Sequence, residues 1–351
     1  MRILRKNMIK MSRKIFICLV FVFFMGGVSA EVINVSELGV REKVSQMVII
    51  KANDFDSRYS DIGIGGVLFG ERDSKEEYKK IISDYQNKSR IKLFISADLE
   101  GYWNPFVSFY KSKNFGEVKD RDEAFSLGKE HGEILKELGF NLDFSPVVEK
   151  RNTVWPGRSF TGSDEDIRGK IVGYIEGLEG EGILSTAKHY PGGSMVKDPH
   201  IWRVKSEVFE DELSFFDSAI NSGVSAVMVG HPVVYGAIDS KGSPVSVSYD
   251  AINPLREKFD GLIISDAITM WGLRKNYLFS FNRVYIDLIN AGNDVIIDTN
   301  LWFSPWTSKY SMVKKRIDNA VKAVERGEIS EQRIDESVSR ILQAKGYNVV
   351  T

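Results

Sequence analysis

Short apolar runs rich in β-branched residues recur along the chain and alternate with stretches of helical periodicity. Eight such runs cover residues 44–51, 64–70, 93–98, 140–148, 183–189, 226–231, 261–266 and 294–298. Between them, residues 122–138, 166–179 and 209–222 place apolar side chains at helical spacing. Continuous apolar runs are typical of parallel strands that are buried on both faces. Eight alternating units predict a single-domain (β/α)8 barrel of the TIM type.

Polar residues stand where several of the predicted strands end. Asp98 ends the run in ISADLEG, Lys188 and His189 follow in STAKHYPGG, His231 in VMVGHP and Asp266 in LIISDAITM. Each of them taken singly is equally well explained as a hydrogen-bonded structural group near the barrel rim. All five, however, belong to the carboxyl ends of strands, where barrel enzymes build their active sites. Their coincidence on one face predicts an active site there.

Carboxylates, a lysine and histidines around one pocket suit glycoside hydrolysis. Retaining cleavage needs a carboxylate on one face of the sugar ring to form a covalent intermediate, and a proton donor on the other face. A histidine held by an aspartate can be that donor, because its unperturbed pKa of about 6.5 is near the working pH. The segment KHYPGGSMVKDPH, from Lys188 to His200, holds two of the four histidines and an aspartate two residues before the second. It is therefore the first place to look for proton transfer.

These residues and their surrounding motifs resemble a known family, over nearly the whole sequence after residue 30. The sequence is similar to the single-domain β-N-acetylhexosaminidases of glycoside hydrolase family 3. The resemblance is carried, in the family's order, by VSQMVIIK, IGGVLFG, ADLEG, GFNLDFSPVVE, GRSFTGS, AKHYPGG, DPH, GLIISDAITM, LINAGNDVII and RIDESVSRIL. Ten short stretches in register make the match specific.

The resemblance implies a role for seven residues. It implies that Asp266 is the catalytic nucleophile, and that His200 and Asp198 of DPH form the acid/base dyad on a mobile loop. It also implies that four residues hold the hydroxyl groups of the N-acetylglucosamine ring, namely Asp98, Arg158, Lys188 and His189. We expect this reaction to need no metal and no organic cofactor.

Three departures from the family pattern affect the dyad and the outer part of the site. Gly193 and Ser194 replace a histidine and a glycine, and the loop that leads to the dyad is one residue shorter. Pro199 replaces the serine inside the dyad, which removes a backbone donor and fixes φ near -65°. Two arginines of the family pattern are also absent, and aromatic residues stand in that stretch at Tyr102, Trp103 and Phe106. We therefore expect an aromatic wall and different contacts to the outer part of the substrate.

The first thirty residues predict a secretory signal peptide. Six Lys or Arg and no acidic residue accompany an apolar run at 15–25, which ends in GGVSA. We expect cleavage after Ala30, which leaves the barrel domain as residues 31–351 and the protein exported, either periplasmic or secreted. An uncleaved anchor is the alternative, although the run is shorter than the roughly 20 residues of a spanning helix. Met8 and Met11 are alternative starts.

Composition narrows the classes of function. The one cysteine, Cys18, lies in the predicted signal peptide, so neither disulfides nor thiolate metal sites are expected in the exported part. Loss of the six positive charges takes the formal net charge from -1 to -7. A mildly acidic body of this kind does not suggest a nucleic-acid partner. After cleavage, no stable membrane insertion is expected either.

The residues and the resemblance together predict an exported, retaining exo-β-N-acetylglucosaminidase. The expected substrates are terminal N-acetylhexosamine units of peptidoglycan fragments or chitooligosaccharides. Two alternatives stay open. One is another family 3 β-glycosidase such as a β-glucosidase, and the other is a sugar-binding homologue whose turnover is impaired by the shortened loop.

Overall fold

The computed structural model describes residues 31–278, 280–299 and 309–351. The predicted signal peptide and its cleavage site fall on residues 1–30 and lie outside the described residues. Residues Glu31–Thr351 form one compact unit. The strands in the described residues are β1 (Val32–Asn34), β2 (Val48–Ala52), β3 (Gly66–Phe69), β4 (Phe94–Ala97), β5 (Leu142–Asp143), β6 (Thr186–Tyr190), β7 (Lys205–Val208), β8 (Ala226–Val229), β9 (Val233–Gly236), β10 (Leu262–Ser265), β11 (Ile296–Asp298) and β12 (Asn348–Val350).

Eight of these strands form a ring in which all neighbours are parallel. One sheet has the order β11-β2-β3-β4-β5 and another the order β10-β8-β6. Parallel bridges join the two sheets at both seams, between Leu142 and Leu184 and between Ile264 and Val295. The ring follows chain order and its strands are buried on both faces. The fold is therefore the predicted (β/α)8 barrel.

The helices in the described residues are α1 (Val40–Gln46), α2 (Ser57–Asp61), α3 (Lys75–Lys88), α4 (Arg121–Leu138), α5 (Asp164–Gly180), α6 (Glu210–Asn221), α7 (Tyr249–Arg256), α8 (Trp271–Arg274), α9 (Val284–Ala291), α10 (Tyr310–Glu325) and α11 (Glu331–Ala344). The three helices predicted from periodicity correspond to α4, α5 and α6. The side chain of Asp120 caps α4 by accepting the N–H of Glu123, and Gly139 ends the helix at φ 94°. Local sequence signals thus define these helices well.

Helices α4 and α5 pack closely because glycines remove side chains from their contact. A Cβ atom at Gly128 would lie 2.2 Å from the carbonyl oxygen of Tyr174, and one at Gly177 would lie 2.2 Å from that of Phe125. These distances are far below any van der Waals contact. In the chain, the two helices come directly before β5 and β6, the strands that lead into the predicted site.

Two of the predicted strands differ from the structure. In the run 44–51, the first residues belong to α1 and the strand begins only at Val48. Apolar runs of this length do not distinguish a buried helix end from a buried strand. In the run 140–148, regular strand covers only Leu142–Asp143. Pro146 follows shortly after and has no N–H to donate to a strand ladder.

Two short parallel pairs outside the ring were not predicted. Strand β7 pairs with β9, and β1 pairs with β12, so that strands from the two ends of the compact unit lie side by side. None of the helices in the described part of the chain has the length and hydropathy of a membrane span.

Candidate active site

A cleft of about 940 Å³ opens at the carboxyl ends of the barrel strands. Asp98 directly follows β4, Lys188 and His189 lie in β6, and Asp266 directly follows β10. The seven residues singled out in the sequence all line this cleft, namely Asp98, Arg158, Lys188, His189, Asp198, His200 and Asp266. The strand-end rule and the family resemblance thus lead to the same place.

A charge cluster of Asp98, Glu100, Arg158 and Lys188 forms one wall of the cleft. Lys188 Nζ donates to Asp98 Oδ1 at 2.7 Å and to Glu100 Oε1 at 2.5 Å. Arg158 donates to both Glu100 oxygens, through Nε at 2.6 Å and through a terminal nitrogen at 2.8 Å. Glu100, Arg158 and Lys188 are buried, whereas 44% of the Asp98 side chain is exposed. Asp98 is therefore the member of the cluster most accessible to a ligand.

The members of the charge cluster stabilise one another's charged states. Burial alone would raise the pKa of Glu100, but the charges of Arg158 and Lys188 outweigh it and lower this pKa. Burial likewise opposes the charge of Lys188, yet Asp98 and Glu100 raise its pKa above the usual value. Glu100 therefore stays ionised and Lys188 stays cationic at neutral pH. A permanently ionised Glu100 is a poor proton donor.

His189 is held by Glu149, whose side chain is almost completely buried. Nδ1 of His189 lies 2.9 Å from Glu149 Oε1, and the N–H of Ser194 donates to Glu149 Oε2 at 2.8 Å. Burial raises the pKa of Glu149 to about 8. Burial, together with the charges of Lys188 and Arg158, holds the pKa of His189 well below its usual value. Near neutral pH, Glu149 and His189 together therefore carry no net charge. The Nδ1 atom of His189 is hydrogen-bonded to Glu149.

Asp198 and His200 form a hydrogen-bonded pair on the dyad loop, which comprises residues 191–204 between β6 and β7. His200 Nδ1 donates to Asp198 Oδ1 at 2.9 Å, and the same oxygen accepts the N–H of His200 at 2.9 Å. The ring of Trp155 meets the His200 ring edge to face at 5.7 Å. The His200 side chain is 33% exposed. The shorter loop with Pro199 thus still brings the two side chains together.

The dyad loop is attached to the barrel on two sides. At its start, the N–H and hydroxyl of Thr153 donate to the carbonyl oxygen of Met195 at 3.1 and 3.3 Å. Further on, the carbonyl oxygens of Pro199 and His200 accept the N–H groups of Gly272 and Trp271 at 3.2 and 3.4 Å. Those two residues belong to the beginning of α8, shortly after Asp266. The loop therefore lies against the segment that carries the predicted nucleophile.

Asp266 is positioned by its own backbone and by the residue that follows. Its N–H donates to the carbonyl oxygen of Val229 at 2.9 Å, and its Oδ1 accepts the N–H of Ala267 at 2.7 Å. His231, the fifth strand-end residue, is buried and does not line the cleft. Its ring lies between the Ser246 hydroxyl at 2.7 Å and the Ala267 carbonyl oxygen at 3.1 Å. His231 thus holds the segment after Asp266 in position through a hydrogen bond to Ala267.

The expected aromatic wall is only partly present. Trp103 is 46% exposed, lines the cleft and meets Trp155 edge to face at 6.5 Å. Tyr102 is also exposed and contacts Trp103 at 5.5 Å between ring centroids. Phe106 is fully buried and packs against Tyr78 in the core, with ring centroids 5.2 Å apart. Phe106 is therefore a packing residue, and of the three aromatic residues only Trp103 lines the cleft.

In residues 31–278, 280–299 and 309–351, no group of three or more His, Cys, Asp or Glu side chains is arranged to hold a metal ion. Two carboxylates that line the cleft, Asp98 and Glu100, both form ion pairs with Lys188.

Sequence reasoning missed the contributions of Glu149 and of Glu100 as a salt-bridge partner. Both follow predicted strands, so the rule that singled out Asp98 and Asp266 applies to them as well. Glu149 directly follows the predicted run 140–148, but only the structure shows its contacts with His189 and with the dyad loop. His131 is buried between Ser112 and Tyr174, at 2.6 and 2.8 Å, as a satisfied structural histidine.

A family model described as the glycosyl hydrolase family 3 N terminal domain matches residues 39–344. The chain belongs to this family. Family 3 membership makes the protein a glycoside hydrolase with a carbohydrate substrate.

Three relatives show how far the likeness extends. The chain is 26% identical to beta-hexosaminidase LpqI of Mycobacterium tuberculosis, over 89% of this chain and 84% of the relative. The solved LpqI structure matches with a TM-score of 0.78, covering 89% of this chain and 95% of that one. A Cellulomonas fimi beta-N-acetylglucosaminidase/beta-glucosidase is 26% identical, over 89% of this chain and 58% of the relative.

The third relative is a solved family 3 beta-N-acetylglucosaminidase from Paenibacillus. It is 26% identical with a TM-score of 0.77, and the match covers 88% of this chain and 62% of that one. The chain thus spans most of LpqI but about three fifths of the Cellulomonas and Paenibacillus proteins.

Proposed function

We propose that this family 3 hydrolase is a retaining exo-β-N-acetylglucosaminidase. The observation that carries the proposal is the composition of one cleft, in which Asp266, the His200–Asp198 pair and the charge cluster are all lining residues. A carboxylate and a proton donor around a sugar-sized cavity are the two groups that retaining cleavage needs. The names of the relatives from Mycobacterium, Cellulomonas and Paenibacillus favour N-acetylhexosamine as the sugar.

In the first step, Asp266 attacks the anomeric carbon and forms a covalent glycosyl enzyme. The bond to the leaving oxygen breaks, and His200 Nε2 gives that oxygen its proton. Asp198 accepts from His200 Nδ1 at 2.9 Å, which fixes the ring orientation and stabilises the protonated imidazole. The imidazole is left neutral at the end of this step.

In the second step, a water molecule attacks the same anomeric carbon. His200 Nε2 takes a proton from this water, the bond to Asp266 breaks, and the sugar leaves with its original anomeric configuration. The charge cluster and His189 hold the ring hydroxyl groups during both steps. Asp98 and Lys188 suit this purpose because one is a partly exposed acceptor and the other a buried permanent cation.

The expected substrates are peptidoglycan fragments or chitooligosaccharides with a terminal N-acetylglucosamine. Both occur outside the cytoplasm, which agrees with the predicted signal peptide and with an exported enzyme. We expect the exported part to act without a metal, an organic cofactor, a nucleic-acid partner or stable insertion in a membrane.

The test is hydrolysis of nitrophenyl N-acetylglucosaminide compared with nitrophenyl glucoside by the purified protein of residues 31–351. We expect faster cleavage of the N-acetyl substrate, with the β-anomer as the first product seen by proton NMR. Initial release of the α-anomer would contradict the retaining mechanism. A panel of muropeptides and chitooligosaccharides then identifies the leaving group.

A β-glucosidase is the second candidate, since the Cellulomonas fimi relative has both activities in its name. Faster cleavage of the glucoside would favour it. Binding of N-acetylglucosamine without hydrolysis at any pH would favour the sugar-binding homologue instead. The formed His200–Asp198 contact argues for turnover, because a binding protein has no need of it.

A further inference from the structure

We propose that Glu149 is a positioning residue that aligns the sugar-binding His189 with the dyad loop. One carboxyl oxygen contacts the His189 ring, and the other accepts backbone N–H groups at the start of the loop that carries Asp198 and His200. The inference rests on the proposed function, because it assigns a purpose to both groups that Glu149 contacts.

The environment of Glu149 is that of a bridging group. Its side chain is 1% exposed and lies behind His189, away from solvent. Oε1 contacts both the ring and the backbone of His189, with Nδ1 at 2.9 Å and the N–H at 3.3 Å. Oε2 accepts the N–H groups of Ser194 and Met195 at 2.8 and 3.4 Å. One carboxyl group therefore connects β6 with the dyad loop.

The contact with Oε1 determines which part of His189 faces the cleft. Since Nδ1 is occupied, Nε2 is the ring nitrogen left for a sugar hydroxyl, and no partner for it is found among the described residues. A side chain that fixes one ring nitrogen of a histidine also fixes the direction of the other. Without Glu149 the His189 ring could rotate, and its hydrogen bond to the sugar would be weakened.

The contact with Oε2 determines where the dyad loop begins. Ser194 and Met195 lie only a few residues before Asp198, and the Met195 sulfur also accepts from Arg158 of the charge cluster at 3.6 Å. A shift of the loop start is therefore passed on to the acid/base pair and to the charge cluster. Displacements of about 1 Å can reduce rates about 100-fold.

A matched control, Glu179, exists at the opposite end of β6. Glu179 accepts the N–H groups of Ser185 and Ser225, just before β6 and β8, at 2.8 and 3.0 Å. It is also a glutamate that bridges backbone donors, but it lies at the amino-terminal ends of the strands. Glu179→Ala should lower the melting temperature and leave the kinetics unchanged, which is the behaviour of a structural bridge.

The experiment compares Glu149→Ala with Glu179→Ala on N-acetylglucosaminides with good and poor leaving groups. At a temperature where both variants are folded, we expect Glu149→Ala to reduce kcat/KM about 10- to 100-fold. The reduction should be larger for poor leaving groups, because these depend on His200. His189→Ala should show a reduction that is independent of the leaving group, and the double variant with Glu149→Ala should lose less than the product of the two single losses.

If Glu149→Ala does not fold, the same kinetic comparison is made with Glu149→Asp. Its side chain is one methylene shorter, so its carboxyl group cannot reach both His189 and the N–H of Ser194, and a reduction of at least about 10-fold is expected. Kinetics within about threefold of the wild type, or losses that match those of Glu179→Ala, would overturn the inference while leaving the proposed function intact.

Failure of the proposed function itself is recognised by a wild-type protein without activity on any N-acetylglucosaminide. In that case the inference is tested by ¹⁵N NMR of the histidine rings. The His189 signals should shift in Glu149→Ala and stay unchanged in Glu179→Ala. Unchanged His189 signals in both variants would overturn the positioning role without any use of kinetics.

Discussion

Asp266 is the residue on which turnover depends most directly in the proposed mechanism. Because it follows β10 at the open end of the barrel, its side chain is not part of the packed core. We expect Asp266→Ala to reduce kcat on an activated N-acetylglucosaminide by at least about 10⁴-fold, the scale for loss of a nucleophile. The circular dichroism spectrum and melting temperature should stay close to those of the wild type. Wild-type rates would refute the assignment of the nucleophile.

His200 should matter most where the leaving group is poor. A dinitrophenolate departs without a proton, so His200→Ala should slow formation of the glycosyl enzyme far less for this substrate than for methylumbelliferyl or natural glycosides. Added azide should attack the trapped glycosyl enzyme from the vacated side and give a β-glycosyl azide. The measurement is a rate series against leaving-group pKa, with product analysis in azide.

Asp198→Ala is the matched variant for His200→Ala, since it removes the orienting carboxylate and keeps the imidazole. We expect the same dependence on leaving group with smaller losses. If His200→Ala lost activity equally for every leaving group and azide had no effect, His200 would be a binding residue. The proton donor would then have to be a group other than Glu100, which is ionised by its two cationic neighbours.

The protonation of Glu149 makes stability depend on pH with a definite sign. Burial raises its pKa from 4.5 to about 8, so the folded protein keeps a proton that the unfolded chain releases between these values. The free energy of unfolding therefore falls as the pH rises through this range, by about 1.4 kcal/mol per pH unit from this one group. Glu149→Gln cannot titrate, and its stability should fall less steeply.

Urea denaturation of both proteins at several values between pH 5 and pH 8 measures this difference. Asp143, whose pKa burial raises to about 7, contributes with the same sign in both proteins and cancels in the comparison. Parallel curves for wild type and Glu149→Gln would mean that the folded protein holds Glu149 ionised.

At this scale the sequence predicted the residues that end regular strands. Asp98 and Asp266 each follow a strand directly, so an apolar run followed by a carboxylate was enough to find them. The segment that contains Asp198 and His200 attracted attention through its composition, but the roles of the two residues came from the family resemblance, because they belong to a loop without periodicity. Glu149 directly follows the predicted run 140–148 but was missed, because its importance depends on which backbone groups fold against it.

Among the elements, the dyad loop depends on a residue with left-handed backbone geometry. Gly193 has φ 74°, and a Cβ atom there would lie 2.6 Å from the Ser206 hydroxyl oxygen. Gly193→Ala should therefore lower stability by about 1–3 kcal/mol through backbone strain and overpacking. It should also reduce kcat/KM, because the start of the dyad loop must move.

Gly223 is the matched control for this loop variant. It has φ 87° with nothing within 4 Å of an added Cβ, and it lies at the end of α6. Gly223→Ala should lower stability by about 1–2 kcal/mol through backbone strain alone, and kcat/KM should not change. Thermal unfolding and kcat/KM of both variants separate the two effects, and equal kinetics would show that the loop tolerates the displacement.

The boundaries predicted from periodicity for α4, α5 and α6 are within two residues of the structure, whereas the prediction failed where an apolar run crossed a boundary. Helix α5 begins at a capping box formed by Ser163 and Asp166, which is visible in the sequence. The run 44–51 contains both the end of α1 and the start of β2, and residues 44–50 are buried in both, including the polar Ser45 and Gln46 of the helix. Only the packing around the barrel decides between the two structures.

For the molecule as a whole, Asp294 secures the seam between β10 and β11. It is fully buried, and its carboxylate accepts the N–H of Ile263 at 3.0 Å, Arg256 at 2.5 Å and the hydroxyl of Ser337 at 2.6 Å. Arg333 and Arg340 of α11 lie within 3.5 and 3.4 Å. The last helix is thereby attached to the ring where its two sheets meet.

Asp294→Asn should lower the free energy of unfolding by about 3–5 kcal/mol, because it leaves several arginines without their common counter-charge. The residue precedes β11, at the amino-terminal ends of the strands, so kcat/KM of the folded fraction should not change. The exposed Asp250→Asn in α7 is the control, with an expected effect below about 1 kcal/mol. Equal urea midpoints for the two variants would show that the seam does not depend on Asp294.

The pairing of β1 with β12 has a consequence for how the protein is made. These strands come from opposite ends of the compact unit and hydrogen-bond in parallel, with Val32 opposite Asn348. During synthesis, β1 leaves the ribosome first and its partner last. The ladder between them can form only once the whole unit has been translated. Until β12 has been synthesised, β1 therefore keeps an unpaired edge that can pair with other extended segments.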